Sequence, residues 1–166
     1  MGLQELISGL ITNYGLVGIF IASVIANATL FFTLPIDFII FTAAALSTSV
    51  AFVVMAGALA GIGAGIGEMV GYLLGLFGIS SAEKFIKRKI IGLEEIQYKI
   101  ADKGMVFVFF AALIPFPFDF VGIVSGLIRF NWVKFFIAVT LGRMARYEII
   151  GLAAFYGVGT IKNFFP

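Results

Sequence analysis

Residues 113–120 read Leu-Ile-Pro-Phe-Pro-Phe-Asp-Phe, which puts Pro115, Pro117 and Asp119 inside a long apolar segment. Proline interrupts helical hydrogen bonding and a buried carboxylate is costly, so packing alone does not account for this combination. The pattern Pro-x-Asp-Phe occurs a second time, at residues 35–38. The repeated Pro-x-Asp-Phe motif predicts two broken helical segments that face each other and together form the functional site.

The composition is typical of an integral membrane protein. Of the 166 residues, 61% are hydrophobic and 12% are charged, against about half and about a quarter in soluble domains. The mean hydropathy is +1.14. The chain has neither Cys nor His, which excludes disulfides, thiol and histidine catalysis and the usual zinc ligand sets. The net charge of +2 does not indicate a nucleic-acid partner. We therefore expect no enzyme activity and no metal or cofactor.

Proline and polar residues divide the chain into segments that suit a bilayer, where a spanning helix needs about 20 apolar residues. The segment that contains Pro35 has two interpretations: a kinked full span, or a re-entrant hairpin of two half-helices. Irregular backbone at membrane depth must be covered by protein or line a wet cavity. We favour the hairpin, because about 20 residues with a proline break divide naturally into two short half-helices. The fold class is then an all-α integral membrane protein, with a span at 14–29, a re-entrant hairpin at 30–49, a span at 50–79, a connector at 80–104, a second re-entrant hairpin at 105–128 and a span at 131–157.

Residues 80–104 form the one segment that looks soluble. They hold six of the eleven Lys and Arg residues, with four acids between them. Their apolar residues recur at roughly helical steps, which fits an amphipathic helix at the membrane interface and equally a plain solvated connector. The basic excess predicts, by the positive-inside rule, that this loop is cytoplasmic in a multi-pass protein of the cell membrane.

Glycines recur at helical spacing in the span at 50–79. Small residues at this spacing let two helix backbones approach closely in lipid. Close helix packing is the main interpretation, and a groove of bare backbone that admits a substrate is the alternative. The glycines assigned to close packing, one of them in the second hairpin, are Gly57, Gly61, Gly65, Gly67, Gly71 and Gly126.

The two halves of the chain share a second short motif. Residues 67–72 and 142–147 both read Gly-x-Met-x-x-Tyr, and each follows a Pro-x-Asp-Phe element. Each half is therefore predicted to be a broken hairpin followed by a long helix, with an additional N-terminal span before the first. If the connector is cytoplasmic, counting the crossings gives the two halves opposite topology. Inverted repeats with broken helices near the midplane are typical of transporters.

Six ionisable residues lie in the apolar segments, where charges are costly and usually face each other or a wet interior. Glu68 occupies the repeat position equivalent to Arg143, which predicts an ion pair between the two long helices. We expect one or both of the aspartates at the proline breaks to exchange protons. The two arginines are expected to contact an anionic headgroup or to balance Glu68 and Glu148. Simple pairing that holds the bundle together is the alternative. The candidate proton-coupling and substrate-binding residues are Asp37, Glu68, Asp119, Arg143, Arg146 and Glu148, and the hairpin breaks are Pro35, Pro115 and Pro117.

Several stretches together carry a family likeness, namely residues 28–30, 34–37, 109–115, 125–130, 135–136 and 141–142. They resemble the core of the DedA family, also called the SNARE-associated Golgi protein or VTT-domain family. Typical members have an arginine on either side of the Ile-Pro of the second hairpin, where this chain has Ala112 and Phe118. The patterns Pro-x-x-x-Asp, Gly-Leu-x-Arg and Gly-Arg-x-x-Arg-Tyr are closer to the small YqaA-like branch.

The resemblance implies a lipid transporter or scramblase with two opposed re-entrant hairpins. It also implies proton-dependent translocation of lipids, including polyprenyl phosphate carriers in bacteria. The hypothesis is that this chain moves an anionic or polyprenyl-phosphate lipid, coupled to protons or another ion, with the charge supplied by Arg143 and Arg146.

The alternative is a non-transporting scaffold or membrane-homeostasis protein that binds a partner helix through its glycine-rich span and connector. A homo-oligomer is compatible with the sequence. An intramembrane aspartyl enzyme is disfavoured, because the chain lacks the Gly-x-Gly-Asp context.

The orientation can be checked directly, because the chain has no Cys of its own. A single Cys in place of Lys87 is expected to react with a membrane-impermeant maleimide only after the cells are opened. Labelling of Lys87→Cys from outside intact cells would contradict the cytoplasmic assignment of residues 80–104.

Overall fold

The computed structural model describes residues 3–29, 36–86, 93–115 and 118–164, with side-chain environments for 13–29, 36–78, 103–115 and 118–157. Regular structure within these ranges is entirely helical, and the helices are α1 (Leu3–Ala28), α2 (Ile36–Leu46), α3 (Val50–Ile86), α4 (Leu93–Leu113), α5 (Asp119–Leu127) and α6 (Trp132–Phe164). Pro35 and Pro117 lie outside the described residues, as do residues 87–92 in the connector.

α3 packs against α6 along a row of glycines. Gly57, Gly61 and Gly65 lie against every fourth residue of α6, from Glu148 back to Thr140. The residue numbers rise along α3 while those of the contacting residues of α6 fall, so the two helices are antiparallel. A glycine at each contact removes the side chain that would otherwise separate the two backbones.

α1 packs on another face of α3 and runs parallel to it. Gly63 lies against the carbonyl of Phe20, and Gly67 lies against the carbonyl of Val24. Ser23, between these contacts, donates a hydrogen bond of 2.7 Å to a carbonyl of α3 and thereby satisfies a polar group in the core. α1 contains one break, at Gly15, whose φ of 54° is not helical.

α5 also packs on α3 and runs parallel to it. A side chain at Gly122 would meet the carbonyl of Glu68, and one at Gly126 would meet the carbonyl of Tyr72. The glycines of α5 and α3 therefore let a short helix lie directly on a long one.

α2 and α4 pack on α6, and both run parallel to it. Asp37, at the start of α2, contacts Arg146, while Ala44, near its end, lies by Gly151. On the other side, Phe109 of α4 lies against Gly142, one turn before Arg146.

These directions make α1 antiparallel to α2, and α4 antiparallel to α5. Each pair is a helical hairpin, and the long helix that follows each hairpin is antiparallel to its counterpart in the other half. The second arm of each hairpin packs mainly on the long helix of the other half, so α2 lies on α6 and α5 lies on α3.

The first hairpin is divided differently from the prediction. Within 30–49 the described helix is α2 alone, and the arm antiparallel to it is α1, which the sequence assigns to a separate span at 14–29. An apolar run does not reveal where the chain reverses its direction. In the sequence Pro35 directly precedes the first residue of α2, and proline is tolerated at the start of a helix. The second hairpin, expected at 105–128, corresponds to the end of α4 together with α5.

The other predicted segments differ at their ends. α3 runs past residue 79 to Ile86, and α4 begins at Leu93, so both ends of the connector are helical. Residues 50–78 of α3 are the stretch of the described helices that is long and apolar enough to cross a membrane. α6 exceeds this length, but three charged residues lie in its middle.

A methyl group at Gly61 is expected to destabilise the α3–α6 contact. A Cβ there would lie 2.7 Å from the backbone Cα of Met144, so the two helices would have to separate. Gly61→Ala should lower the free energy of unfolding by about 1–3 kcal/mol, measured by thermal or denaturant unfolding in detergent. Gly78→Ala is the matched control in the same helix, because nothing lies within 4 Å of that Cβ. Equal effects at the two positions would contradict the packing role.

Candidate functional site

Each hairpin presents a carboxylate where its second arm begins. Asp37 lies in the first turn of α2, and Asp119 is the first residue of α5. The N-terminus of a helix carries partial positive charge, which favours an acid at these positions. Asp37 binds Arg146 of α6, and Asp119 lies within electrostatic range of Glu68 of α3.

Arg146 joins the two hairpins. Its Nε donates to Asp37 Oδ1 at 3.0 Å, and its Nη2 donates to Oδ2 of the same carboxylate. Its Nη1 donates to the carbonyl oxygen of Ile114 at 2.9 Å. That carbonyl belongs to the end of α4, where helical carbonyls lack partners within their own helix. One guanidinium therefore ties the start of α2 to the end of α4.

Glu68 and Arg143 form the ion pair that their repeat equivalence predicts. Arg143 Nη2 donates to Glu68 Oε1 at 2.5 Å, and the two side chains are 11% and 3% exposed. Such a pair in a dry interior is tolerated because each charge satisfies the other, and removal of one partner is costly.

The two arginines also lie beside the residues that flank the break in the second hairpin. The Arg143 guanidinium lies 5.3 Å from the centre of the Phe118 ring, a cation–π geometry. Ala112 is fully buried against Gly142, while Arg146 contacts the nearby Ile114. α6 thus brings its two positive charges to Ile114 and Phe118, on either side of residues 116–117.

Electrostatic contacts link the two ion pairs and the second aspartate. Asp119 lies within electrostatic range of Glu68, and Asp37 lies within range of Arg143. Three acids and two arginines therefore form one group, which we call the charged centre (Asp37, Glu68, Asp119, Arg143 and Arg146). The Asp37 side chain is the accessible member of its pair, with 38% of its surface exposed against 11% for Arg146.

Glu148 does not belong to the charged centre. Its carboxylate packs against the backbone of Gly57, where Oε1 would lie 2.7 Å from an added Cβ. Arg146 binds Asp37, so the expected balance of an arginine by Glu148 is wrong. Helical geometry gives the reason, because residues two apart on a helix point about 200° from each other.

Two polar residues of α6 near the charged centre escaped the sequence-based prediction. Tyr147 is 2% exposed, and its hydroxyl interacts with the side chain of Asn27. Thr140 lies one turn before Arg143, and its Oγ1 lacks a hydrogen-bond partner within the described part of the chain, as does Arg143 Nε. The sequence spacing could have pointed to Thr140 and Tyr147, since positions 140, 143 and 147 share one helix face.

Comparison with protein families assigns the chain. The family model described as the VTT domain matches residues 34–154, well over half of the sequence. The chain belongs to the VTT-domain family. This is the DedA or SNARE-associated family that the motifs resemble, and proteins with VTT domains are membrane proteins. The match contains the whole charged centre. No curated protein and no solved structure matched the chain, and assignment to the YqaA-like branch stays a prediction.

A double-mutant cycle tests the central ion pair of this VTT domain. Glu68→Gln and Arg143→Gln should each destabilise the fold by about 3–5 kcal/mol, because each leaves an uncompensated buried charge. The double variant should cost clearly less than the sum of the single variants in unfolding experiments. Asp37→Asn, at a partly exposed pair, should cost less than Glu68→Gln. Strict additivity of the two central substitutions would contradict the pairing.

Proposed function

We propose that this VTT-domain protein is a multi-pass transporter or scramblase of the cell membrane that moves an anionic lipid, linked to protons through its intramembrane carboxylates. The observation that carries the proposal is the charged centre, which lies where two antiparallel hairpins meet between two long helices. Buried charges in apolar helices are costly and usually serve a substrate or ion path. We further propose that the protein is not an enzyme and that the lipid is its main partner.

The distribution of apolar side chains supports the membrane placement. Large apolar residues are exposed on every described helix, for example Phe38, Leu46, Phe77, Phe107 and Ile149. Soluble monomers rarely expose apolar patches of more than a few hundred Å². The short helices α2 and α5 cannot cross a bilayer of about 30 Å by themselves, so we place them as the second arms of re-entrant hairpins.

The packing pattern supports an inverted repeat. Gly67 of α3 lies against α1, and its repeat equivalent Gly142 lies against α4. The second arms are exchanged between the halves, and the long helices that follow them are antiparallel. A two-fold axis in the membrane plane relates elements in this way in many transporters, and it brings the two broken hairpins together near the midplane.

The contacts of Arg146 support a competition mechanism. The ionised Asp37 carboxylate occupies two donors of the Arg146 guanidinium, and a phosphate group binds the same fork in the same bidentate manner. Protonation of Asp37 removes its negative charge and releases those donors to an anionic headgroup. Two further polar atoms of α6, Thr140 Oγ1 and Arg143 Nε, are buried without a hydrogen-bond partner in the described part of the chain. Deprotonation then restores the bond to Asp37 and expels the headgroup.

The scaffold alternative loses its main surface. It requires the glycine-rich face of α3 to receive a partner helix. In the structure Gly57, Gly61 and Gly65 are covered by α6, while Gly67 is covered by α1 and Gly75 by α5. These contacts are internal to the chain, so the glycines serve its own packing.

Reconstitution in liposomes tests the proposal. Movement of a labelled anionic lipid is followed by its exposure to a membrane-impermeant quencher, with and without a pH gradient. Wild type should move the lipid and respond to the gradient, and Asp37→Asn should abolish the response to pH, because the carboxylate that competes for Arg146 is lost. Arg146→Ala should slow movement roughly tenfold or more, since a charge-assisted hydrogen bond contributes about 1.5–3 kcal/mol.

Gly78→Ala, at an open position on the same bundle, should move lipid as wild type does. If folded wild type moves neither lipid nor ions under any gradient, the transporter proposal fails and a scaffold role is favoured. Equal rates for wild type and Arg146→Ala would contradict the role of the charged centre.

A further inference from the structure

The turn between α5 and α6 lies at one end of the bundle. α5 runs parallel to α3 and α6 runs antiparallel to it, so residues 128–131 lie near the end of the apolar part of α3. Gly126 packs against Tyr72 and the backbone nitrogen of Leu76, which fixes the position of this end of α5 on α3. The site in question is thus remote from the charged centre, which lies at the start of α5.

Arg129 has a backbone conformation that arginine rarely adopts. Its φ is 53°, the one positive value at a non-glycine residue among those that the structure describes. Its N–H bonds the carbonyl of Gly126 at 3.0 Å, and the next N–H, of Phe130, bonds the carbonyl of Ser125 at 2.9 Å. This is the hydrogen-bond pattern that ends a helix at a left-handed residue, a position usually occupied by glycine.

The neighbouring residues hold this strained turn in place. Phe130 is buried, and its carbonyl accepts a hydrogen bond from the Tyr72 hydroxyl. Asn131 Oδ1 accepts a hydrogen bond of 3.0 Å from the backbone nitrogen of Lys134 and so caps α6. The backbone at Arg129 is therefore set by its surroundings, while its own side chain is exposed. A glycine would fit this backbone better, so an arginine here indicates a use for the side chain.

Exposed aromatic and basic side chains lie at the same end of the bundle as Arg129. Trp132 is 59% exposed, and Lys134 is exposed on the next turn. Lys103 is exposed on α4, at the same end of the bundle, because α4 runs parallel to α6. Residues 128–134 contain no acid. Residues 38–67, which include the turn at the opposite end, contain no charged residue at all.

We propose that Lys103, Arg129, Trp132 and Lys134 form a binding site for the phosphate headgroups of an anionic membrane surface. Basic side chains next to a membrane span attract anionic lipid, and tryptophan prefers the headgroup level. The site fixes the depth of this end of the bundle and concentrates anionic lipid beside the hairpin of α4 and α5. It rests on the proposed membrane placement and is independent of transport.

Thermal unfolding of the full chain in vesicles tests the site. The midpoint of wild type is compared in phosphatidylcholine vesicles, in vesicles that also contain phosphatidylglycerol, and in phosphatidylcholine vesicles with added inorganic phosphate. Anionic lipid should raise the midpoint, and high salt should reduce that rise. Inorganic phosphate should leave the midpoint unchanged, which distinguishes a lipid surface from a free anion.

Arg129→Gly should raise the unfolding midpoint in neutral lipid and reduce the additional rise that anionic lipid produces. In phosphatidylcholine its midpoint should rise by about 2 °C, because the left-handed backbone is relieved. The additional rise in anionic lipid should shrink by roughly a third, since one of three cations is lost. Arg129→Lys should retain the rise, and Lys103→Gln with Lys134→Gln should remove most of it without a change in neutral lipid.

Two results would overturn the proposal. One is a full anionic-lipid rise in Arg129→Gly, and the other is a fall of its midpoint in neutral lipid, which would give Arg129 a purely structural role. Asp37→Asn separates this proposal from the transport proposal, because it should keep the full lipid-dependent rise whether or not lipid is moved. Flotation with the neutral vesicles verifies insertion of every variant.

Discussion

Two arginines inside an apolar helix bundle constrain the rest of this structure. A guanidinium keeps its charge in a protein, so each arginine of α6 must find a counter-charge where it lies. Arg143 takes Glu68 from the other long helix, and Arg146 takes Asp37 from the first hairpin and a carbonyl from the second. These bonds determine the positions of both hairpins along α3 and α6, because a shift of one turn would leave a charge without its partner.

The glycines of α3 make these ion pairs geometrically accessible. Arginine and glutamate can bridge two helices only if the helices are close. α3 approaches the backbone of α6 at Gly61 and the Thr140 side chain of α6 at Gly65. α5 approaches α3 in the same way through Gly126. Close packing and charge pairing therefore depend on each other: bare backbone brings the charged side chains together, and their pairing offsets the cost of burying them.

Part of this arrangement could be predicted from the sequence. The second hairpin follows from two prolines in an apolar run, and the pair of Glu68 with Arg143 follows from one repeated motif. The role of α1 as a hairpin arm could not be predicted, because apolar composition does not encode chain direction. The contact between Asp37 and Arg146 was also missed, since these residues are 109 positions apart and Arg146 has no charged counterpart in the first half.

The absence of a charged residue equivalent to Arg146 in the first half makes the two halves electrostatically different. The motif position equivalent to Arg146 is Gly71, so α3 has no arginine at the position from which α6 binds Asp37. Asp119 instead lies within electrostatic range of Glu68, which is another acid. The arginine of α6 balances the negative charge of Asp37, whereas the Glu68 carboxylate opposes that of Asp119. The two hairpins therefore present their acids in different electrostatic surroundings, because Asp37 is bound by an arginine whereas Asp119 lies near a second acid.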